Sequence, residues 1–230
     1  MNQFATRRTI VLCAVVAATL AAQNTQPSFE NDQVIIDAPH PNVDVPGYTH
    51  KAHDHKLNRV MVYMHKGGEY LHYLDDGRKV DLKWEAGEVQ WSPASGPHYS
   101  EMKPDTPPFT GKMIVDIGIK KPGDPAKAAS PALDPLKVDS THYKLEFENP
   151  QVRVLRVKLG PGESTPVQEC KLNQLVVYMT DANVRETPAK GKAEVIEHKS
   201  SEFRWTGPSK GKLENLSGKP FEAVIVEFRS

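Results

Sequence analysis

The sequence predicts an all-β chain built as two tandem barrels, and three observations predict it. The block Phe29-Glu30-Asn31-Asp32-Gln33-Val34 returns as Phe147-Glu148-Asn149-Pro150-Gln151-Val152, and residues 47–64 align without a gap on residues 162–179. Apolar residues come in short alternating runs, such as Val152-Arg153-Val154-Leu155-Arg156-Val157 and Ala223-Val224-Ile225-Val226-Glu227-Phe228, the period of half-buried strands. No segment carries a helical stripe long enough for a core helix, so sheets must supply the core by packing on each other.

Each part of the chain then has an expected place. Arg7 and Arg8, the apolar run from Ile10 to Leu20, and the small residues Ala21 and Ala22 read as a secretion signal over 1–22, too short to span a bilayer. Thr6-Arg7-Arg8-Thr9-Ile10-Val11 also fits a twin-arginine signal, with an ordinary Sec signal as the alternative. The protein is thus expected to be exported, to a periplasmic or extracellular location. Cys13 leaves with the signal, and Cys170 remains without a disulfide partner. The first barrel is expected over 28–120 and the second over 140–230. The stretch between them, 121–139, is rich in proline and alanine and reads as a linker.

Gly47, Gly67-Gly68, Gly87 and Pro93 mark corners of the first copy, and Gly160-Pro161-Gly162 and Gly207-Pro208 those of the second. Trp91 and Trp205 occupy matching places, where each is expected to fill a barrel mouth. Lysine plus arginine equals aspartate plus glutamate at 29 each, so no net field draws the protein to nucleic acid or to an anionic membrane.

The two copies differ in their histidines. His53 and His55 stand two apart, so on a strand both face the same side, and the second copy has Gln168 and Cys170 in their place. Gly47, five residues, His53, Asp54, His55, and later Gly87, five residues, Pro93 and then His98, resemble the two motifs of the cupin family, G-x5-H-x-H-x3,4-E and G-x5-P-x-G-x2-H-x3-N. The resemblance covers both copies. It implies two double-stranded β-helix (jelly-roll) barrels, a bicupin, with His98 brought against His53 and His55. Three neutral imidazoles would suit Fe(II), Mn(II), Ni(II), Cu(II) or Zn(II) and leave positions for water, substrate or dioxygen. A homodimer is a further implication of the resemblance. Gly211 stands at the place of His98, so the second barrel is expected to hold no metal.

The departures from the family also matter. Arg59 stands where the first motif has its glutamate, and Met102 where the second has its asparagine. An inward Arg59 would repel a divalent ion unless an acidic partner or a bound anion lay between, and it could clamp a substrate carboxylate. An outward Arg59 would be a surface ion-pair partner. Tyr63 continues the alternation from Arg59 through Met61 and is a candidate weak acid or hydrogen-bond donor, although Tyr178 recurs at its place in the copy without histidines, which favours packing. Cys170 is expected to be a buried, inert thiol. The expected activity is a metal-dependent oxygenase or oxidoreductase acting on a small, anionic molecule, with a metal-assisted isomerase or a non-catalytic ligand- or metal-binding barrel as alternatives.

Overall fold

The computed structural model describes residues 28–36, 47–109 and 111–230. The secretion signal expected over 1–22, Cys13 and His40 lie outside the described residues. The first half contains β1 (Phe29–Glu30), β2 (Val34–Ile36), β3 (His53–His55), β4 (Asn58–Tyr63), β5 (Gly67–Tyr73), β6 (Lys79–Trp84), β7 (Val89–Ser92), β8 (Ser95–Met102) and β9 (Ile114–Ile119). The second half repeats the set as β10 (Tyr143–Glu148), β11 (Val152–Leu159), β12 (Gln168–Cys170), β13 (Gln174–Tyr178), β14 (Ala182–Pro188), β15 (Glu194–His198), β16 (Phe203–Thr206), β17 (Ser209–Asn215) and β18 (Phe221–Phe228). Sheet order repeats too. The first barrel pairs β1-β2-β9-β4-β7 against β3-β8-β5-β6, and the second pairs β10-β11-β18-β13-β16 against β12-β17-β14-β15.

Strand alternation divides the labour of the five-stranded sheets. On β4 and β9 the side chains of Val60, Val62, Val115 and Ile117 turn away from their own barrel. They join Leu175, Val177, Val224 and Val226 of the second barrel in a single buried core. The intervening residues Arg59, Met61, Tyr63, Ile114 and Asp116 turn inward and line the first barrel's cavity. The largest apolar core is therefore the seam between the barrels.

Polar contacts pin the same seam. Gln33 donates to the Ser230 carbonyl at 2.8 Å and accepts from Asn173 at 2.6 Å, while Asn58 donates to Gln151 at 2.6 Å. Trp91 and Trp205 pair with Val60 and Leu175 on the outward-facing row and pack on the seam core. They hold the barrels together instead of filling barrel mouths, because the row they stand on faces the neighbouring sheet.

Residues 121–139 contain a 3-10 turn, Pro125–Lys127, and one short helix, α1 (Pro135–Val138). Each opens on an aspartate whose side chain accepts a backbone N–H two residues on, with proline in the first turn. Asp134 does more than cap. It also accepts two hydrogen bonds from Arg153 on β11, at 2.6 and 2.8 Å, inside the second barrel.

A shared core predicts shared unfolding. Ile117→Ala in the first barrel and Leu175→Ala in the second should each cost about 2 to 5 kcal/mol and shift one common urea transition. Tryptophan fluorescence and far-ultraviolet dichroism should give the same midpoint in each variant. Two resolved transitions would mean that the barrels fold independently.

Candidate metal centre

The first barrel's histidines come from two neighbouring strands. His53 on β3 stands opposite His98 on β8, and His55 opposite Ser95, so β8 carries one extra residue between the two pairs. That bulge falls at Gly96-Pro97, where proline offers no N–H to the ladder and a Cβ on Gly96 would come within 2.9 Å of the Asp75 carboxylate. Its effect is to turn His98 inward beside His53 and His55. The ring centroids lie 4.7, 4.8 and 5.2 Å apart, and the three donor atoms all fall within 4.8 Å of one another.

The ring tautomers follow from the backbone. The Nδ1–H of His53 donates to the Lys51 carbonyl at 2.7 Å and that of His98 to the Gly96 carbonyl at 2.8 Å. A carbonyl only accepts, so both rings carry their proton on Nδ1 and keep the Nε2 lone pair free. Burial first, and then Arg59 and the two neighbouring rings, push the His55 pKa down to about 3. Burial also lowers that of His98. His55 and His98 are thus neutral imidazoles at neutral pH. A tetrahedral ion bound at about 2.1 Å would want its nitrogens about 3.4 Å apart, a modest contraction from the spacing present. The donor set fits a divalent transition metal.

Arg59 faces the cavity, and it has an acidic partner. Its Nη1 donates to Asp116 at 2.8 Å and its Nη2 to Ser92 at 2.9 Å. Its Nε is buried with no hydrogen-bond partner. Asp116, which sequence reading did not single out, cancels much of the charge that Arg59 would turn on a metal. Only the pairing of β4 with β9, 57 positions apart, reveals it.

Tyr63 stands four residues further along β4, roughly 13 Å at strand rise, at the opposite end of the cavity. There it stacks on Trp84 with ring centroids 4.6 Å apart and donates to Gln90 at 3.4 Å. Burial and then Glu69 raise its pKa, so the phenol keeps its proton. Sequence reading also missed Tyr73, whose ring lies 5.3 Å from that of His98. Cross-strand pairing places it there.

A second-barrel residue reaches the site indirectly. Asn58, held by Gln151, accepts the Ala94 N–H at 2.9 Å. Ala94 belongs to the turn between Ser92, which holds Arg59, and Gly96, which holds His98.

In the second barrel Gln168 stands opposite Gly211 and Cys170 opposite Ser209, without a bulge. The register sets Gly211 at the place of His98. A Cβ there would meet the Thr187 carbonyl oxygen at 2.6 Å, so a side chain has no room. The interior is occupied by Arg153, Asp134 and Glu227, only 6%, 1% and 3% exposed. Cys170 lies 3.3 Å from Glu227, and burial and that carboxylate raise the pKa of its thiol. The space beside this network is about 20 Å³, against about 1090 Å³ in the first barrel. Asn215 keeps the motif's asparagine, fully buried, and donates to the carbonyls of Leu159, Gly160 and Lys219.

Comparison with known proteins defines the architecture. The chain is similar to a variant of oxalate decarboxylase from Bacillus subtilis, at 12% identity and a TM-score of 0.52, over 90% of this chain and 75% of that one. It is also similar to a Cupin 2 conserved barrel domain protein from Leptotrichia buccalis, at 12% identity and a TM-score of 0.50, over 89% of this chain and 88% of that one. No family model matches the sequence, and no curated protein does. The likeness is one of fold. The protein is an all-β molecule with a two-barrel cupin fold, and its first barrel carries a three-histidine cluster that could hold a metal ion.

Arg59 and Asp116 should tune that site in opposite directions. Arg59→Met should raise divalent-metal affinity and Asp116→Asn should lower it, each by about tenfold, or about 1.4 kcal/mol. Competition with a chromophoric chelator measures both. Unchanged affinity in both variants would place the ion pair outside the field of the site.

Proposed function

We propose that this is an exported bicupin metalloprotein that binds one divalent transition metal in its first barrel through His53, His55 and His98, and acts as a metal-dependent oxygenase or oxidoreductase on a small organic anion. The observation that carries this reading is the convergence of three imidazoles, two with their Nδ1–H tied to backbone carbonyls, at one end of a cavity of about 1090 Å³. Oxalate decarboxylase of Bacillus subtilis, a structural neighbour, has Mn(II) centres. Here the donor set is imidazole alone, and imidazole suits iron, copper, nickel and zinc better than manganese.

When bound, the metal would supply Lewis acidity and open positions for substrate oxygens or dioxygen. The protein's own groups do the rest. Asp116 and Ser92 lock the Arg59 guanidinium through one N–H of each Nη, and its remaining N–H groups, the unpartnered Nε–H among them, are the donors for an anionic substrate group. Tyr73 walls the histidine end. Tyr63 stays protonated and donates to Gln90, so its part is packing and hydrogen bonding at the far end.

One observation favours a second reading, a barrel that binds its ligand or metal without turnover. Asp116 is committed to Arg59, and Asp54, between the two histidines in sequence, pairs with Lys56 at 2.5 Å, so neither carboxylate is an evident general base. Export rests on the expected signal over 1–22.

Elemental analysis of protein purified from its export compartment tests the metal. About one transition metal per chain, lost in His53→Ala/His55→Ala, is expected. Little metal after reconstitution with Fe(II), Mn(II), Ni(II), Cu(II) and Zn(II) would sink the metalloprotein reading. Oxygen uptake by the loaded protein with candidate acids separates turnover from binding.

A further inference from the structure

The two barrels share one topology but treat their interiors differently. The second packs its interior with Tyr143, Val157, Tyr178, Val184, Ile196 and Phe221, leaving about 20 Å³ beside its ion network. The first holds a cavity of about 1090 Å³ that is partly open to solvent. The open interior is thus a property of this half's sequence and not of the fold.

Strand register resolves the cavity into three storeys. The uppermost holds His53, His98 and Tyr73 on one wall, with Arg59 and Ser92 on the other. The middle storey sets Leu71 and Val80 across from Met61, and the lowest sets Glu69, flanked by Leu82 and Met102, across from Ile114. The polar groups of these lower walls are largely engaged with one another. Asp116 holds Arg59, and Gln90 accepts from Tyr63 and donates to Glu88. The metal-binding lone pairs and Arg59 sit at the top, and Met61, Leu71, Val80, Leu82, Met102 and Ile114 give the shaft below its apolar walls, with the Glu69 carboxylate at its foot.

From this arrangement we infer that the first barrel takes an amphiphilic acid: an oxygen-rich anionic head at the histidines and Arg59, and an apolar body of roughly eight to fifteen carbons in the shaft. A compact two-carbon acid would occupy only the top storey. It would leave Leu71, Val80 and Leu82 against water, and burial of apolar surface is the main gain such a cavity offers a ligand. The inference deepens the metalloprotein reading and rests on it for the head group alone.

Paired probes test head and body separately. Acetohydroxamate and octanohydroxamate present the same chelating head, and their binding to the Co(II)-loaded full chain can be read by visible absorption and calorimetry. Each buried methylene contributes about fourfold, so burial of even half of the extra chain should make octanohydroxamate bind about 60-fold more tightly. Val80→Phe, which fills the shaft, and Leu71→Gln, which makes it polar, should each erase most of that ratio while leaving metal content and acetohydroxamate affinity unchanged. Two variants of different kind guard against one that fails to fold. Equal affinities in the loaded wild type would overturn the amphiphile and leave the metal site standing. If the chain takes up no metal, octanoate and acetate titrated into the metal-free protein decide: a chain-length advantage abolished by Val80→Phe upholds the amphiphile, and its absence overturns it.

Discussion

The seam between the two barrels is the contact on which the rest of the structure depends. β4 and β9 give alternate side chains to two different environments. Val60, Val62, Val115 and Ile117 enter the common core, so Arg59, Met61, Ile114 and Asp116 must enter the cavity. A slip of one residue in either strand would bury Arg59 and Asp116 among valines and turn the valines toward the histidines. The apolar seam therefore fixes the register that presents the site, at a distance from any group that could do chemistry.

Within that frame the barrels have diverged by local means. One extra residue at Gly96-Pro97 turns His98 inward in the first, and the second lacks both the bulge and the room, since Gly211 lies against the Thr187 carbonyl. Where the first barrel keeps a cavity, the second has closed its interior with Arg153 bound by Asp134 and Glu227. A buried ion triad of this kind adds little net stability over apolar packing, but removing one partner strands a charge and is severely destabilising. Asp134 comes from the connecting segment, so the network also ties residues 121–139 to the second barrel. The second barrel is an occupied interior, not an empty copy of the first.

Much of this was legible in the sequence, and the rest failed for identifiable reasons. The duplication and the period-two runs carried the fold, because alternation is a local property of the backbone. The His53-Asp54-His55 spacing put two donors on one face, and the family resemblance supplied His98. Alternation does not say which face looks inward. Trp91 and Trp205 were therefore expected in barrel mouths, although they stand on the seam row with Val60 and Leu175. Asp116 escaped notice for a different reason. Its meaning lies in a partner on a strand distant in sequence, and nothing around Asp116 itself marks it. The Pro-Ala-rich stretch 121–139 forms no strand, and no composition could reveal that its Asp134 reaches Arg153.

The second barrel has a physical role in the path from Gln151 to the three histidines. Gln151 is itself held, donating to the Lys121 carbonyl at 2.7 Å, and it fixes Asn58 at the start of β4. Asn58 in turn fixes Ala94, within the turn that supplies Ser92 to Arg59 and the Gly96 carbonyl to His98. A loop of that kind, with a bulge and a proline, has few ladder hydrogen bonds of its own to hold it. The second copy has no histidines at the matching places but supplies Gln151 and its half of the seam. The barrel without donors thus still orders the loop that aims the donors of its neighbour, and a first barrel separated from it would lose both the core that sets β4 and the hydrogen bond that steadies its ligand loop.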